Sequence, residues 1–116
     1  MADIPEPLKP QWFQILLSLA DEDLHGSAIM EEVLERTDGQ MKLWPGTLYG
    51  SLSDMSDVGL IQETAPPEDA PTEGGKRRFY TLTPEGRRIL ADEVQRLAGF
   101  VREARAKKVL DDLEPA

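Results

Sequence analysis

Residues 43–52 read LWPGTLYGSL, and this stretch combines the signals of a helix start with a complete absence of charge. Pro45 suits the first position of a helix, where the amide hydrogen that proline lacks would have no partner. Leu48 and Leu52 lie about one turn apart, which predicts a helix with these two side chains buried. Surface helices usually carry charge on their outer face. The outer face of this helix is therefore expected to lie against something other than bulk water.

Two further helices are predicted before this stretch from the helical spacing of their apolar residues. The first begins at Lys9 and ends at the acidic residues 21–23. The second occupies residues 25–39, where Gly39 supplies the left-handed conformation that often ends a helix. Residues 40–44 alternate weakly between polar and apolar side chains, which favours a short strand.

A β-hairpin and a long helix are predicted after it. Residues 60–64 and 77–82 hold β-favouring side chains and are joined by a loop with three Pro and two Gly, which predicts a hairpin with a long tip. Thr83 is a good N-cap for the next helix, and Pro84 suits its first position. That helix is expected to continue to about residue 110.

The last helix carries an apolar seam whose residues are spaced alternately by four and three, as in a coiled coil. At 1.5 Å per residue the helix would be about 40 Å long, whereas a compact domain of this size has a radius of gyration of about 13 Å. A protruding helix with an apolar seam needs a partner, and a second copy of the chain is the simplest one. The expected dimerisation residues are Leu90, Val94, Leu97, Val101 and Ala104.

Composition excludes several classes of protein. The chain has 116 residues, a size typical of one domain. It has no apolar run long enough to span a membrane and no signal-peptide pattern at its start, which favours a cytoplasmic protein. Cysteine is absent and His25 is the only histidine, so no metal site or cofactor is predicted, and His25 is interpreted as a structural turn residue. No catalytic motif is present, so an enzyme is not predicted.

The net charge of −9 comes almost wholly from the first half of the chain. Residues 1–58 hold 11 acids and 3 bases, whereas residues 84–116 hold 7 of each. Basic residues gather at Lys76, Arg77 and Arg78, where the second strand of the hairpin is expected to begin. This run favours contact with phosphate groups, and a solvated strand end is the alternative.

Three stretches together resemble the PadR family of bacterial transcriptional regulators: ILLSLADEDLHGSAI (15–29), WPGTLYGSLSDMSDVGLI (44–61) and GGKRRFYTLTPEGRRIL (74–90). The resemblance covers about residues 9–110, and the single C-terminal helix is similar to the short subclass of that family. It implies a mainly α fold with a small β-hairpin, in which a winged helix-turn-helix precedes a long dimerisation helix. The expected units are a flexible arm (1–8), the winged helix-turn-helix domain (9–83), the dimerisation helix (84–110) and a tail (111–116).

The resemblance also implies a homodimer that binds a pseudo-palindromic, double-stranded operator, usually as a repressor. In this family the third helix enters the major groove and the hairpin tip reaches toward the minor groove, and many helix-turn-helix dimers share the first of these contacts. The uncharged face at 43–52 would then lie against DNA, where hydroxyl groups donate to phosphates or base edges. The expected DNA-binding residues are Lys42, Pro45, Gly46, Thr47, Tyr49, Gly50, Ser51, Lys76, Arg77 and Arg78.

Several interpretations stay open. Tyr49 fits either a phosphate contact or a packing ring with a solvated hydroxyl, and Trp44 fits a hydrophobic staple better than a ligand contact. The third helix ends with Asp54 and Asp57 and no base, unlike that of many family members, so DNA binding is expected to be weak, highly salt-sensitive or confined to one operator. The alternative function is a dimeric winged-helix module that has lost DNA binding and uses its acidic face on a basic protein partner.

A small aromatic effector is also left open, because the family includes members that sense aromatic compounds. In some members Trp residues of the last helix sandwich a flat drug, but the last helix here has no Trp, and Leu97 stands near that place. Trp12, Phe13 and Phe100, with Leu97, would line a different apolar pocket. Core packing is the favoured interpretation of Trp12 and Phe13.

Overall fold

The computed structural model describes residues 3–68 and 77–111, which contain four helices and three short strands. In chain order the elements are α1 (Pro10–Ser18), β1 (Leu24–His25), α2 (Gly26–Arg36), α3 (Pro45–Asp57), β2 (Ile61–Thr64), β3 (Phe79–Leu82) and α4 (Pro84–Ala106). The prediction of a mainly α fold with a small β-hairpin is confirmed. Within the described ranges, every helix is too short or too polar to cross a membrane.

Helix α3 forms where the sequence predicts it and is anchored by one buried face. Pro45 occupies its first position, and Leu48, Leu52 and Met55 are almost completely buried. Their spacing of four and three residues places them on one side of the helix. Gly59, with a φ of +81°, supplies the left-handed turn that ends the segment.

Helices α1 and α2 pack on α3 and bury most of the apolar stripe that the sequence predicts. The buried apolar residues of these two helices and of the turn after α1 are Trp12, Ile15, Leu16, Leu19, Ile29 and Val33. The guanidinium of Arg36 joins the pair, since it donates to the backbone oxygen of Gln14 and to Ser18 Oγ, both at 2.9 Å. Leu34, the apolar residue that follows Val33 in α2, is exposed.

The sheet is antiparallel, with the strand order β1-β3-β2. The β2–β3 hairpin is the predicted one, and we call it the wing, with the described residues 65–68 and 77–78 between its strands included. β3 begins at Phe79, so Arg77 and Arg78 lie before the strand rather than in it. β1 was not predicted, because it has only two residues and its pairing with β3, as in Leu24 with Tyr80, joins distant parts of the chain.

The predicted strand at residues 40–44 is wrong. This segment lies outside the three-stranded sheet, and it is tied instead to the end of α2, where Met41 N donates to Thr37 Oγ1 at 3.0 Å. Leu43 is buried and Met41 partly buried, while their neighbours are exposed. The polar and apolar alternation is therefore real, but it reflects packing of a connecting segment on the core.

Helix α4 begins with the predicted cap, since Thr83 Oγ1 accepts a hydrogen bond from Gly86 N at 2.9 Å. Gly86 lies directly against the carbonyl oxygen of Leu60, where the Cβ of any other residue would collide with the backbone. This contact fixes the start of α4 beside the wing. The helix ends at Ala106, four residues before the predicted end, and the chain then turns through Lys108, which has a φ of 63°.

Helix α4 extends beyond the domain from which it starts. Its 23 residues correspond to a length of about 35 Å at 1.5 Å per residue. The Cα radius of gyration is 16.3 Å, larger than the value of about 13 Å expected for a compact chain of this size. The arm is less free than its composition suggests, because Leu8 is buried in the core and Ile4 packs against it.

Candidate nucleic-acid interface

The outer face of the first two turns of α3 is exposed and uncharged, as the sequence indicates. Pro45, Gly46, Thr47 and Gly50 are all exposed, and Tyr49 has an exposed fraction of 48%. A Cβ at either glycine would meet no atom within 4 Å, so both positions are open to an approaching molecule. This surface combines the hydroxyl groups of Thr47 and Tyr49 with accessible backbone at the two glycines.

Ser51 does not belong to this face, and its assignment as a DNA contact is wrong. It lies three residues after Leu48 and one before Leu52, on the inner side of α3, and only 7% of its surface is exposed. The helical period that buries the leucines therefore also turns the Ser51 side chain away from solvent.

Trp44 is not a buried staple, since 61% of it is exposed. It is the N-cap residue of α3, one position later than the residue that forms a staple. Lys42 Nζ lies 4.4 Å from the centroid of its ring, a distance at which a cation is attracted by the aromatic face. This contact holds the Lys42 charge beside the exposed start of α3.

Tyr49 reaches across from α3 to the start of α2. A Cβ on Gly26, the first residue of α2, would come within 2.6 Å of the Tyr49 hydroxyl oxygen, so any other residue there would force this ring to shift. Tyr49 thereby forms one wall of a groove of about 320 Å³, which we call the α2 groove. The residues that line it are His25, Gly26, Ser27, Tyr49, Arg77 and Arg78.

His25 precedes α2 and caps it, because its Nδ1 accepts a hydrogen bond from Ala28 N at 3.2 Å. This agrees with its interpretation as a structural turn residue. Its ring packs edge-to-face on Phe79, and its Nε2 lies 3.0 Å from Arg77 Nη1 of the wing. Burial lowers the pKa of His25, the Arg77 guanidinium lowers it further, and Glu31 opposes these effects.

The sequence by itself indicates no binding role for His25 or Gly26. The local signal was a histidine directly before a glycine that starts a helix, which indicates a cap but not a groove. The approach of Arg77, which is 52 residues away in the chain, depends on how the wing folds back toward α2.

Arg77 and Arg78, the described basic residues of the wing, are solvent-exposed. Arg78 Nε lies 3.7 Å from Glu63 Oε1, and both side chains are mostly exposed, so this ion pair contributes little to stability. Arg77 is exposed beside His25. Lys76, the third residue of the predicted basic run, lies outside the described residues.

An acidic groove of about 250 Å³ lies on the other side of Tyr49. Asp57 and Glu63 line it together with Arg78 and Tyr80. Burial and the nearby Glu63 raise the pKa of Tyr80. The candidate interface is therefore divided, with donors and cations toward α2 and carboxylates toward the end of α3.

The rest of α4 presents a second candidate surface. Val94, Leu97 and Val101 of the predicted seam are exposed, and so is Phe100, of which 60% is accessible. Leu90, the first residue of the seam, is buried in the core of its own chain, so its assignment to a dimer contact is wrong. The helix passes from the core into solvent after Leu90. The remaining seam residue, Ala104, is partly buried.

The residues predicted to line an effector pocket fall into two groups, one in the core and one on the surface. Trp12 is 3% exposed within the core and Phe13 packs against it, which confirms the core interpretation, whereas Leu97 and Phe100 lie on the exposed face of α4. A groove of about 300 Å³ is found instead between residues 4–8 and α4. Its other wall is formed by Ile89, Asp92, Glu93 and Arg96.

Comparison with known proteins gives consistent results. Residues 15–92 match the model of the transcriptional regulator PadR-like family. The transcriptional regulator Rv3488 of Mycobacterium tuberculosis is 32% identical over 89 residues, which cover 77% of each chain. An uncharacterised 37.1 kDa protein of transposon TN4556 from Streptomyces fradiae is 39% identical over 93 residues, which are 78% of this chain but only 24% of that protein.

Solved structures show the same similarity. A PadR family transcription regulator from Clostridium difficile has a TM-score of 0.62 and 31% identity, with 87% of this chain and 94% of that chain covered. Bacillus subtilis PadR in complex with operator DNA has a TM-score of 0.62 and 22% identity, with 74% of this chain and 47% of that chain covered. At that lower identity the likeness is one of fold.

Proposed function

Because the chain belongs to the PadR-like family of transcriptional regulators, whose members are not enzymes, we propose that it binds double-stranded operator DNA through α3 and the wing. One observation carries this proposal. Tyr49, on the uncharged face of α3, lines the same groove as Arg77 and Arg78 of the wing. The face of α3 that can contact base edges thus lies next to two arginines that can bind phosphates. The complex of Bacillus subtilis PadR with operator DNA supports the same use of the fold.

In this proposal the first two turns of α3 enter the major groove, which is wide enough to admit a helix. Gly46 and Gly50 let the backbone approach closely, and the hydroxyl groups of Thr47 and Tyr49 donate to base edges or phosphates. Lys42, Arg77 and Arg78 contact the sugar-phosphate backbone of the DNA on either side of this helix. Phosphate contacts supply affinity and position, whereas base contacts supply sequence specificity.

The functional unit is a homodimer joined by α4. Val94, Leu97 and Val101 place apolar surface on the part of the helix that leaves the core, and pairing with the same surface of a second copy would bury it. Residues 9–83 form the DNA-binding unit, and α4 (Pro84–Ala106) is the dimerisation helix. A two-fold dimer reads a pseudo-palindromic operator with half-sites about 34–36 Å apart. Occupying that operator represses transcription.

An aromatic effector would act at the dimer surface rather than in the core. Leu97 and Phe100 are exposed on α4, and a second copy would convert this open surface into an enclosed apolar one. Trp12 is not part of the proposed pocket, because its side chain is buried in the core. A planar ligand held there would change the spacing of the two α3 helices and so release the operator.

The proposal is tested by fluorescence anisotropy, with DNA from upstream of the protein's own gene compared with random duplex over a salt series. We expect tighter binding to the upstream DNA. Thr47→Ala should weaken binding to it more than binding to random DNA, because it removes a hydroxyl from the base-reading face. Absence of binding to either duplex at low salt would overturn the proposal and favour the acidic protein-interaction module.

A further inference from the structure

We propose that His25, Arg77 and Tyr49 form a binding site for one backbone phosphate of the operator, with His25 Nε2–H as a hydrogen-bond donor. This inference rests on the proposed function and adds a contact to it. The site is the α2 groove, which lies next to the exposed face of α3. His25, which caps α2, thereby has a second role in binding DNA.

The hydrogen-bond donors and acceptors of His25 and Arg77 do not match each other. A neutral imidazole has one N–H donor and one acceptor nitrogen, and an arginine side chain has donors only. His25 Nδ1 accepts from Ala28 N, so Nε2 must carry the proton. Nε2 lies 3.0 Å from Arg77 Nη1. Two donors therefore face each other, and they cannot form a hydrogen bond with one another while His25 caps α2.

An external acceptor resolves this conflict. An oxygen placed between Nε2–H and the Arg77 guanidinium accepts from both. The opposite tautomer would let Nε2 accept from Arg77, but Nδ1–H would then face Ala28 N–H and the cap would be lost. The arrangement that keeps the cap is the one that needs an added acceptor.

The other groups of the α2 groove are also suited to an anion. Tyr49 holds its hydroxyl above Gly26, Ser27 is exposed at the rim, and Arg78 adds a second guanidinium. Among the described residues that line the groove, none is a carboxylate. Arginine favours phosphate because its planar fork matches two phosphate oxygens.

Position identifies the anion as a phosphate of DNA. Tyr49 belongs both to the groove and to the outer face of α3, so a duplex contacting that face brings its backbone past the groove. A phosphodiester has two non-bridging oxygens, which can serve His25 and Arg77 together. Free inorganic phosphate offers the same chemistry and is the second possible source.

The contact predicts a proton uptake on binding. In the free protein, burial and Arg77 lower the pKa of His25, while Glu31 on α2 raises it; Tyr49 and Arg78 also face the groove. A phosphate oxygen at Nε2 stabilises the imidazolium and so raises this pKa, and the second proton then occupies Nδ1 at the expense of its bond from Ala28 N. Since the bound state then holds more protons than the free state, operator affinity should rise as the pH falls from about 8 to about 6.

Nuclear magnetic resonance can follow this residue directly, because His25 is the only histidine of the chain. Its pKa is measured for the free protein, with operator duplex and with inorganic phosphate. We expect the operator to raise the pKa. A rise with inorganic phosphate but none with bound operator would overturn the assignment to DNA, and so would an unchanged pKa in the operator complex.

His25→Asn is the matched variant, because asparagine is a good N-cap and its shorter side chain places no donor at the position of Nε2. We expect only a small fall in the thermal midpoint, from the lost ring contact with Phe79. We also expect a loss of operator affinity of about tenfold per half-site and the loss of the pH dependence between 6 and 8. A neutral methylphosphonate at one operator phosphate should weaken binding by the wild type much more than by His25→Asn. If His25→Asn does not fold, His25→Ser serves the same purpose with a different cap.

The outcomes separate this inference from the proposed function. Equal operator affinity of wild type and His25→Asn, with equal pH dependence, would overturn the phosphate site while leaving the regulator function intact. Failure of the wild type to bind any duplex at low salt would overturn both.

Discussion

Replacing both Arg77 and Arg78 by alanine tests which side chains supply DNA affinity. These two residues flank the α2 groove, and the ion pair that Arg78 makes with Glu63 is solvent-exposed and weak. The arginines at the start of α4 are engaged, since Arg87 Nη2 donates to the Ala20 oxygen at 2.7 Å and Arg88 pairs with neighbouring carboxylates of its own helix. Arg88→Ala is thus a control with the same change of charge per residue.

The magnitude follows from counterion release. If Lys42, Arg77 and Arg78 each contact one phosphate in both protomers, the homodimer makes about six contacts, and the slope of log K against log salt is about −5.4. Between 50 and 200 mM salt the affinity then falls roughly 2,000-fold. The double variant keeps about two contacts and a slope of about −1.8, so its affinity falls only about 12-fold over the same range. A contact from Lys76 would shift both slopes equally and leave their difference of about 3.6 unchanged.

The assay is fluorescence anisotropy of labelled operator and random duplexes at several salt concentrations. The double variant should lose affinity for both duplexes, because phosphate contacts carry no sequence information. Arg88→Ala should keep the slope of the wild type. The reasoning would be refuted by a double variant that keeps that slope, or by an Arg88→Ala slope that falls by half the difference.

Three further changes test the rest of the molecule. Asp57→Asn removes a carboxylate from the groove beside the wing, and it should tighten binding to operator and random duplex alike in the same anisotropy assay. Val94→Glu with Leu97→Glu places charges in the α4 seam, which should cost several kcal/mol if it is buried between protomers and give monomers by light scattering; a folded dimer would contradict the seam. Gly86→Ala should lower the free energy of unfolding in urea by about 1–3 kcal/mol or more, because its Cβ meets a backbone carbonyl. The exposed Gly50→Ala should instead raise it by about 0.5–1 kcal/mol, and similar values for both glycines would contradict the packing argument.

The sequence by itself determined the elements whose signals are local. Pro45 with Leu48 and Leu52 marked α3, and Thr83 with Pro84 marked the start of α4. These predictions succeeded because caps and helical periods act between residues a few positions apart. The same period, read as far as Ser51, would have shown that this residue faces inward.

The tertiary structure alone decided what surrounds these elements. β1 exists only because two residues pair with β3, and the exposure of Trp44 follows from how the connecting segment packs. The approach of His25 to Arg77 depends on the wing folding back to α2. Such contacts cannot be read from the sequence, because they join residues that are far apart in the chain and their geometry is fixed by the packing of several elements together.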